Sequence, residues 1–143
     1  MPVGAERFIL KQDLGALAAT TEYSLWTNDL GEQVELESAQ FNQLLAITAS
    51  TNGFYTFDIY EYTSAGTQGD VVATLHYGTS GVSGYVAAHV AFVADDLTLD
   101  ATGLGQADGR SWTVKATKSG TAVNLSADAH VIITFAKGMT AKT

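Results

Sequence analysis

Apolar and polar residues alternate with a period of two through most of this chain, and the alternation restarts after short breaks rich in Gly, Asn, Ser and Asp. A period of two places successive side chains on opposite faces of a β-strand, whereas a helix needs a period of about 3.6. Short strands separated by turn residues are typical of a sandwich or barrel. The pattern therefore predicts an all-β protein.

The clearest unit of this pattern is a predicted hairpin. Residues 43–50 form its first strand and residues 54–62 its second. Residues 51–53 supply the turn, because the Asn-Gly pair accepts the positive φ angles of tight hairpins. The second strand presents alternate apolar residues to the predicted core: Tyr55, Phe57 and Ile59.

The rest of the chain continues in the same way. The strand at residues 70–77 is predicted to turn Ala73 inward and Val72 outward. The strand at residues 85–94 is apolar on both faces, which is usual for a central or covered strand. Short helices are predicted only at residues 14–19 and 38–41. Other strands are predicted at residues 22–27, 33–36, 111–118, 121–125 and 130–136.

These elements predict a single antiparallel β-sandwich of the jelly-roll type with about eight strands. A length of 143 residues suits one domain. Residues 22–143 form the sandwich, and residues 1–21 are either its first strand or an arm that docks on a neighbouring subunit. No signal peptide and no apolar stretch of membrane-spanning length is recognisable, so we expect synthesis in a cytoplasm and no membrane partner.

The residue types that carry catalysis are scattered. The chain has no cysteine, which excludes a thiolate nucleophile, a disulfide and a cysteine-bound zinc. His76, His89 and His130 are not spaced to place two imidazoles on one metal. No Gly-x-Ser-x-Gly motif is present. We therefore expect no enzymatic activity and no cofactor.

Loop carboxylates are the candidate metal ligands. Asp95, Asp96 and Asp100 lie close together in the sequence after a predicted strand. Loops at one end of a β-sandwich can bind calcium through such oxygens. The alternative is that these acids are solvated turn formers.

The net charge of −8 is unevenly distributed, with −11 over residues 1–100 and +3 over residues 101–143. The acidic bulk argues against nucleic-acid binding, because a phosphate backbone repels a negative surface. Lys115 and Lys118 belong to the basic part and are candidates for contact with an acidic partner. The alternative is ordinary solvated surface charge.

Aromatic residues in predicted strands leave two interpretations open. Flat rings stack well on sugars, and they also fill cores and subunit interfaces. The candidates for a sugar-binding face are Trp26, Tyr60, Tyr62, Tyr77 and Tyr85.

Residues 41–50 (FNQLLAITAS) and 54–62 (FYTFDIYEY), followed by a Ser/Gly-rich loop and another strand, resemble a hairpin pattern that recurs in phage β-sandwich proteins. With its cysteine-free, proline-poor and Gly/Ala/Thr-rich composition, the chain is similar to the small jelly-roll decoration (cement) proteins of tailed-phage heads. The likeness extends over about two-thirds of the chain. It includes no signature motif and transfers no individual residue.

The resemblance implies a non-enzymatic virion protein that sits on the capsid exterior, as a homotrimer, and stabilises the assembled lattice of the major capsid protein. The alternative is a carbohydrate- or receptor-binding head of a tail fibre or adhesin. The residues that we expect to contact a partner are apolar, basic or part of the predicted strand that is apolar on both faces. They are Phe8, Ile9, Leu10, Tyr85, His89, Lys115 and Lys118.

Overall fold

The computed structural model describes residues 6–47, 53–78, 85–86, 88–100, 105–119, 121–122 and 124–137. Within these residues the chain forms β-strands and no helix. Seven strands are long: β1 (Glu6–Asp13), β2 (Thr21–Thr27), β3 (Val34–Asn42), β4 (Tyr55–Tyr62), β5 (Gln68–Tyr77), β10 (Ser111–Lys118) and β11 (His130–Lys137). The other four span two residues each: β6 (Tyr85–Val86), β7 (Asp95–Asp96), β8 (Thr98–Leu99) and β9 (Gly105–Gln106).

The strands form two sheets that pack face to face. The first sheet has the order β1-β11-β3-β7, with β9 also on β3, and the second has the order β2-β10-β4-β5-β6, with β8 also on β5. All pairs are antiparallel except the short pair of β5 with β6. When β6, β8 and β9 are set aside, the remaining eight strands in chain order are arranged as 1-8-3-6 and 2-7-4-5. This is the jelly-roll arrangement, so the predicted antiparallel sandwich is confirmed.

The core lies between the two sheets and is rich in aromatic rings. The ring centroids of Phe41 and Phe57, from opposite sheets, are 4.5 Å apart. Farther along, the centroids of Trp112 and Phe135 are 4.8 Å apart. All four side chains are fully buried. The alternation in β4, β10 and β11 is the reason, because it turns every second residue inward.

Several predicted strands are confirmed. β2, β5, β10 and β11 cover residues 22–27, 70–77, 111–118 and 130–136. Within β5 the predicted alternation is wrong at Val72, which is buried together with Ala73. The register of β5 on β4 shifts at this point, since Ile59 is paired with Ala73 and Tyr60 with Val71. This β-bulge breaks the period of two and places neighbouring residues in the core.

The predicted hairpin is wrong. β4 pairs with β10 and β5, and residues 43–47 form no strand beyond a single bridge from Ile47 to His89. The chain leaves the first sheet after β3, and Leu44 and Leu45 are exposed. The predicted turn at residues 51–53 lies mostly outside the described residues. The resemblance to decoration proteins included this hairpin and loses that part of its support.

Four further predictions are corrected. Residues 38–41 lie in β3, because their backbone pairs with β11. Residues 14–19 form an irregular loop that buries Leu14 and Leu17. The predicted strand at residues 85–94 is reduced to β6 and the bridge at residue 89. The described residues of 121–125 form a turn and loop.

The described part of residues 1–21 begins with β1. This strand pairs along its whole length with β11, from Glu6 opposite Lys137 to Asp13 opposite His130. It is therefore an integral edge strand of the first sheet over residues 6–13.

Replacing a central core ring should test the packing. Phe57→Ala removes a fully buried ring that stacks on Phe41. We expect a loss of about 3–5 kcal/mol in the free energy of unfolding, measured by urea titration. Thr56→Ala is the matched control, because Thr56 points to the outer face of the same strand, and it should cost less than about 1 kcal/mol. Equal losses in the two variants would contradict this description of the core.

Candidate functional site

The connections that follow β1, β3, β5 and β10 meet at one end of the sandwich. In the first sheet, the ends of β1 and β3 lie beside the start of β11, because His130 is paired with both Asp13 and Asn42. The pairing of Tyr55 with both Lys118 and Tyr77 does the same for the second sheet. Loops of a rigid sandwich that cluster at one end are a common place for binding surfaces.

This end exposes a group of large apolar side chains, which we call the apolar tip. The exposed fractions are 50% for Leu44, 57% for Leu45, 65% for Val90, 73% for Phe92 and 50% for Val93. The two loop segments are adjacent, because the Phe92 N–H donates to the Gln43 carbonyl at 3.2 Å. Contiguous exposed apolar surface is unusual on a monomeric soluble protein and marks interaction sites.

Phe92 has an unusual backbone. Its φ angle is 66°, and among the described non-glycine residues it is the one with a positive φ. It lies in a tight turn closed by the Val93 N–H and the Val90 carbonyl at 3.1 Å. A bulky residue with positive φ is strained, and glycine is preferred at such a position. The turn holds an aromatic ring outward at the most exposed point of the tip in spite of this strain.

A buried polar network lies beneath the apolar tip. His89 is fully buried, and its Nδ1 lies 2.6 Å from the Asp95 carboxylate. The Tyr77 hydroxyl donates to the same carboxylate. The other ring nitrogen of His89 lies 3.4 Å from the Gln43 carbonyl. The network joins the loop after β3 to the end of β5 and to the segment from residue 89 to β7.

Burial and the adjacent Asp95 carboxylate raise the pKa of Tyr77 far above its ordinary value of 10.0. Burial also raises the pKa of Tyr55 to about 12. Both phenols therefore stay neutral in the folded protein at any ordinary pH. Their rings pack as apolar groups in the core. The Tyr77 hydroxyl also orients the Asp95 carboxylate through its hydrogen bond.

A second set of hydrogen bonds holds the base of the tip. The Gln43 side chain accepts from the Ser126 N–H at 3.0 Å and donates to the Leu45 carbonyl at 2.8 Å. Asp128 accepts from the Leu44 N–H at 3.0 Å and from the Ser126 hydroxyl at 2.5 Å. The bond from the Ser126 hydroxyl lowers the pKa of Asp128. The loops of the tip are thus fixed by side chains distant in sequence.

The described side chain of His89 contacts Tyr77, Asp95 and the Gln43 carbonyl, and among the described residues no Ser or Thr hydroxyl is bonded to it. A second His–Asp contact lies on the outer face of the second sheet. There the Thr74 hydroxyl donates to Asp58 at 2.7 Å and accepts from His76 Nε2 at 2.7 Å. A hydroxyl that donates to a carboxylate while accepting from a histidine is not activated for attack.

The candidate calcium ligands Asp95 and Asp96 form hydrogen bonds with different partners. Asp95 belongs to the buried network, and Asp96 accepts from the Gln40 amide at 2.7 Å. The two are neighbours in β7 and point to opposite faces. Across the part of the chain that the structure describes, no group of three or more His, Asp or Glu side chains could hold a metal ion.

The expected partner-contact residues lie in different places. Ile9 is 66% exposed, and Phe8 and Leu10 are half-buried beside it in β1. His89 is closed to a partner, because the network buries its ring. Lys115 lies between Glu22 and Asp58 on neighbouring strands. Lys118 Nζ donates to Asn124 at 2.6 Å, and the Tyr85 side chain lies outside the described residues.

The proposed sugar-binding face is divided. Tyr77 is fully buried and cannot stack on a sugar, whereas Trp26 packs on Phe8 and Trp112 and is only partly buried. Tyr60 and Tyr62 face outward on the second sheet. The Tyr62 hydroxyl donates to Glu22 at 2.5 Å.

A pocket of about 290 Å³ opens between the edge strands β1 and β2. Its floor is aromatic, with Phe8 and Trp26 in contact at 5.1 Å between centroids. Charged side chains stand at its rim, where Lys137 contacts Glu6 at 3.0 Å. The pocket lies at the end of the sandwich opposite the apolar tip. It is lined by Glu6, Arg7, Phe8, Leu10, Trp26, Leu30 and Lys137.

The fold defines the chain as a jelly-roll β-sandwich with an apolar loop end. No protein-family model and no curated protein sequence matches it. Among solved structures it is similar to a CocE/NonD family hydrolase from Staphylococcus aureus, at 10% identity and a TM-score of 0.40, over 94% of this chain and 37% of that one. It is also similar to a protein of infectious bursal disease virus, Gt strain, at 10% identity and a TM-score of 0.36, over 92% of this chain and 33% of that one.

The chain thus spans about a third of the length of the proteins it matches, and the likeness says nothing about its activity or partner. In the described residues no helix is long and apolar enough to cross a membrane.

The sequence reasoning missed the apolar tip. It assigned Leu45 and Val90 to strand faces because both lie in apolar runs. A signal was present, since Leu44 and Leu45 are consecutive and alternation would have left one of them on an outer face.

The pH dependence of the free energy of unfolding in alkaline solution should reveal the buried tyrosines. A phenol whose pKa is higher in the folded than in the unfolded state adds nothing to pH dependence below about pH 10 and costs stability above it. We expect the free energy of unfolding to fall above pH 10, by about 1.4 kcal/mol per pH unit for each such tyrosine. Tyr55→Phe should remove one such contribution between pH 10 and 12.

At pH 7 the same variant should not lose stability, because the Tyr55 hydroxyl is buried with no hydrogen-bond partner among the described residues. An unchanged alkaline slope in Tyr55→Phe would show that this hydroxyl is solvated in the folded protein.

Phe92→Gly should relieve the strained turn. Glycine adopts a φ of 66° without steric cost. We expect the free energy of unfolding to rise by up to about 1 kcal/mol, since the relief is partly offset by the greater freedom of glycine in the unfolded chain. Ala91→Gly in the same turn is the control and should lower stability. A loss of stability in Phe92→Gly would mean that the ring packs on the protein.

Proposed function

We propose that this chain is a non-enzymatic structural protein of a virus particle, which decorates and stabilises a phage capsid by binding the assembled lattice as a homo-oligomer. The observation that carries this proposal is the apolar tip. A protein that works as an isolated soluble unit has no use for five large apolar side chains that are half or more exposed at one end.

The tip has the properties of a docking surface. The loops that carry its side chains are fixed before binding, because Gln43, His89 and Asp128 form hydrogen bonds with their backbone. A preorganised surface loses little conformational entropy on association. Exposed aromatic and aliphatic side chains that enter a partner's pocket supply most of the affinity of such interfaces.

The chemistry around the tip indicates its partner. The carboxylates of Asp96 and Asp128 lie on the strand and the loop that adjoin the tip. The matching surface is an apolar depression bordered by Lys or Arg side chains. A depression formed where two capsid subunits meet would exist only in the assembled lattice. Binding there stabilises the lattice by mass action, from the capsid exterior.

A non-enzymatic role agrees with the polar contacts. The two His–Asp contacts, His89 with Asp95 and His76 with Asp58, serve a buried network and a sheet face. Neither presents an activated nucleophile or a metal site in the described part of the chain.

Co-sedimentation tests the proposal. The chain is mixed with empty capsids of the virus that encodes it, or with the free capsid subunits, and pelleted. We expect the chain to pellet with the capsids and not to bind the free subunits. We also expect capsids that carry the chain to release their subunits at a higher temperature than capsids without it. Leu45→Ser should weaken binding at least about tenfold, because it removes a side chain worth about 1.5–3 kcal/mol when buried.

Leu30→Ser is the matched control, since Leu30 is another exposed leucine at the opposite end, with 42% of its surface exposed. Its binding should equal that of the unchanged chain. Equal binding to free subunits, or equal loss in both serine variants, would overturn the proposed mode of binding.

The alternative, a carbohydrate-binding head of a tail fibre or adhesin, is favoured by one observation. Tyr60 and Tyr62 lie side by side on the outer face of the second sheet, next to Glu22 and Thr113. A glycan array distinguishes the two functions. Binding to a sugar that is lost in Tyr60→Ala and kept in Leu45→Ser would favour the alternative.

A further inference from the structure

The edge of β1 that faces away from β11 is long and regular. β1 pairs with β11 over eight residues without a register shift. On its other side it has no partner strand among the described residues. The other long edge strand, β2, has a register shift opposite Trp112 and Thr113. The remaining described edge strands span two residues each.

Natural sheets protect their edges with proline, bulges, very short strands or charge. β1 contains no proline and no bulge. Its protection consists of charges alone, at Glu6, Arg7, Lys11 and Asp13. A charged edge excludes a partner whose charges clash and accepts one whose charges match.

We propose that β1 pairs in antiparallel register with β1 of a second copy of this chain, about a two-fold axis at Leu10. The pairing joins the two first sheets into one continuous sheet. It is a self-complementary contact, in which each copy offers the same strand.

Charge and pairing length together select this register. With the axis at Leu10, Arg7 of each copy lies opposite Asp13 of the other, so two opposite-charge pairs form. With the axis at Ile9, Arg7 lies opposite Lys11 at both ends and repels it. With the axis at Lys11, the two lysines meet. With the axis at Gln12, Lys11 also lies opposite Asp13 twice, but only residues 11–13 of β1 would pair. Directly opposed residues in an antiparallel pair interact most strongly, so these contacts decide the register.

The apolar residues of β1 agree with the same axis. Leu10 meets Leu10 of the second copy on the inner face, at the mouth of the pocket of about 290 Å³ between β1 and β2. Ile9, with 66% of its surface exposed, lies opposite Lys11 and packs on its aliphatic stem. The pairing therefore covers the most exposed apolar side chain of the first sheet.

Two internal ion pairs compete with these contacts without preventing them. Arg7 donates to Glu37 at 2.7 and 3.1 Å, and Lys11 contacts Asp13 at 3.3 Å. Asp13 and Lys11 are largely exposed, with 76% and 58% of their side-chain surfaces accessible, so the Asp13 carboxylate is free to turn towards a second copy.

The contact makes a closed dimer and leaves the apolar tip uncovered. The resemblance to decoration proteins implied a trimer, whereas the self-matching charges of β1 favour a two-fold assembly. The two-fold axis reverses the strand direction between the copies, so the two tips point to opposite ends of the joined sheet and each can bind a separate surface.

Light scattering after size-exclusion chromatography tests the pairing. We expect a dimer for the unchanged full chain, a mass that falls towards the monomer in Arg7→Glu and in Asp13→Lys, and a dimer again in the double variant. Glu37→Gln is the control, because it removes the internal partner of Arg7 and leaves the edge unchanged. It should stay dimeric. Thermal unfolding of every variant confirms that each is folded.

A single cysteine measures the register directly, since the chain has none of its own. Leu10→Cys should form an intermolecular disulfide on mild oxidation, because directly opposed Cα atoms are about 4.5–5.5 Å apart. Gln12→Cys lies on the same face, but its two copies would stand about 14 Å apart and should not cross-link.

A monomer or a trimer for the unchanged chain would overturn the proposal. So would a dimer that persists in both single charge variants, or equal cross-linking at residues 10 and 12. A dimer that is lost in Leu45→Ser and kept in Asp13→Lys would place the self-contact at the apolar tip. Capsid binding by a monomer would overturn this inference and the homo-oligomeric part of the proposed function, and it would leave capsid binding through the apolar tip standing.

Discussion

The two sheets of this protein are held together by aromatic rings that meet in the middle of the sandwich. Phe41 stacks on Phe57, and Trp112 packs on Phe135, so each sheet presents rings to the other. Large rings bury more apolar area than any other side chains and allow a small cysteine-free domain to form a sufficient core. The loops are arranged around this layer of rings.

The buried network beneath the apolar tip extends the aromatic core into the loops. The ring of Phe41 contacts both Tyr77 and His89, at 5.6 and 5.2 Å between centroids. Burying His89 and the edge of Asp95 costs desolvation free energy, which is offset by their mutual hydrogen bonds. The network fixes one loop conformation, and that conformation holds Phe92 outward in spite of its backbone strain.

The molecule thus has two distinct surfaces of interest, and the topology separates them. The apolar tip lies at the end where β3 and β5 finish, and the regular edge of β1 runs along one side of the first sheet. One surface is apolar and suited to a partner's depression, whereas the other offers backbone hydrogen bonds and matched charges. Because they do not overlap, a self-associated molecule can still bind a partner.

The alternation of apolar and polar residues was enough to predict the class of fold and the inward face of β4, including Phe57 and Ile59, because a period of two directly encodes the geometry of a strand. It did not determine where apolar runs leave the sheets. Residues 43–47 and 88–94 read as strands, yet they form the apolar tip, since their backbone is held by contacts with His89, Ser126 and other residues far away in sequence. Strand partners and loop conformations were decided only by the tertiary structure, because they depend on long-range pairing that local alternation does not record.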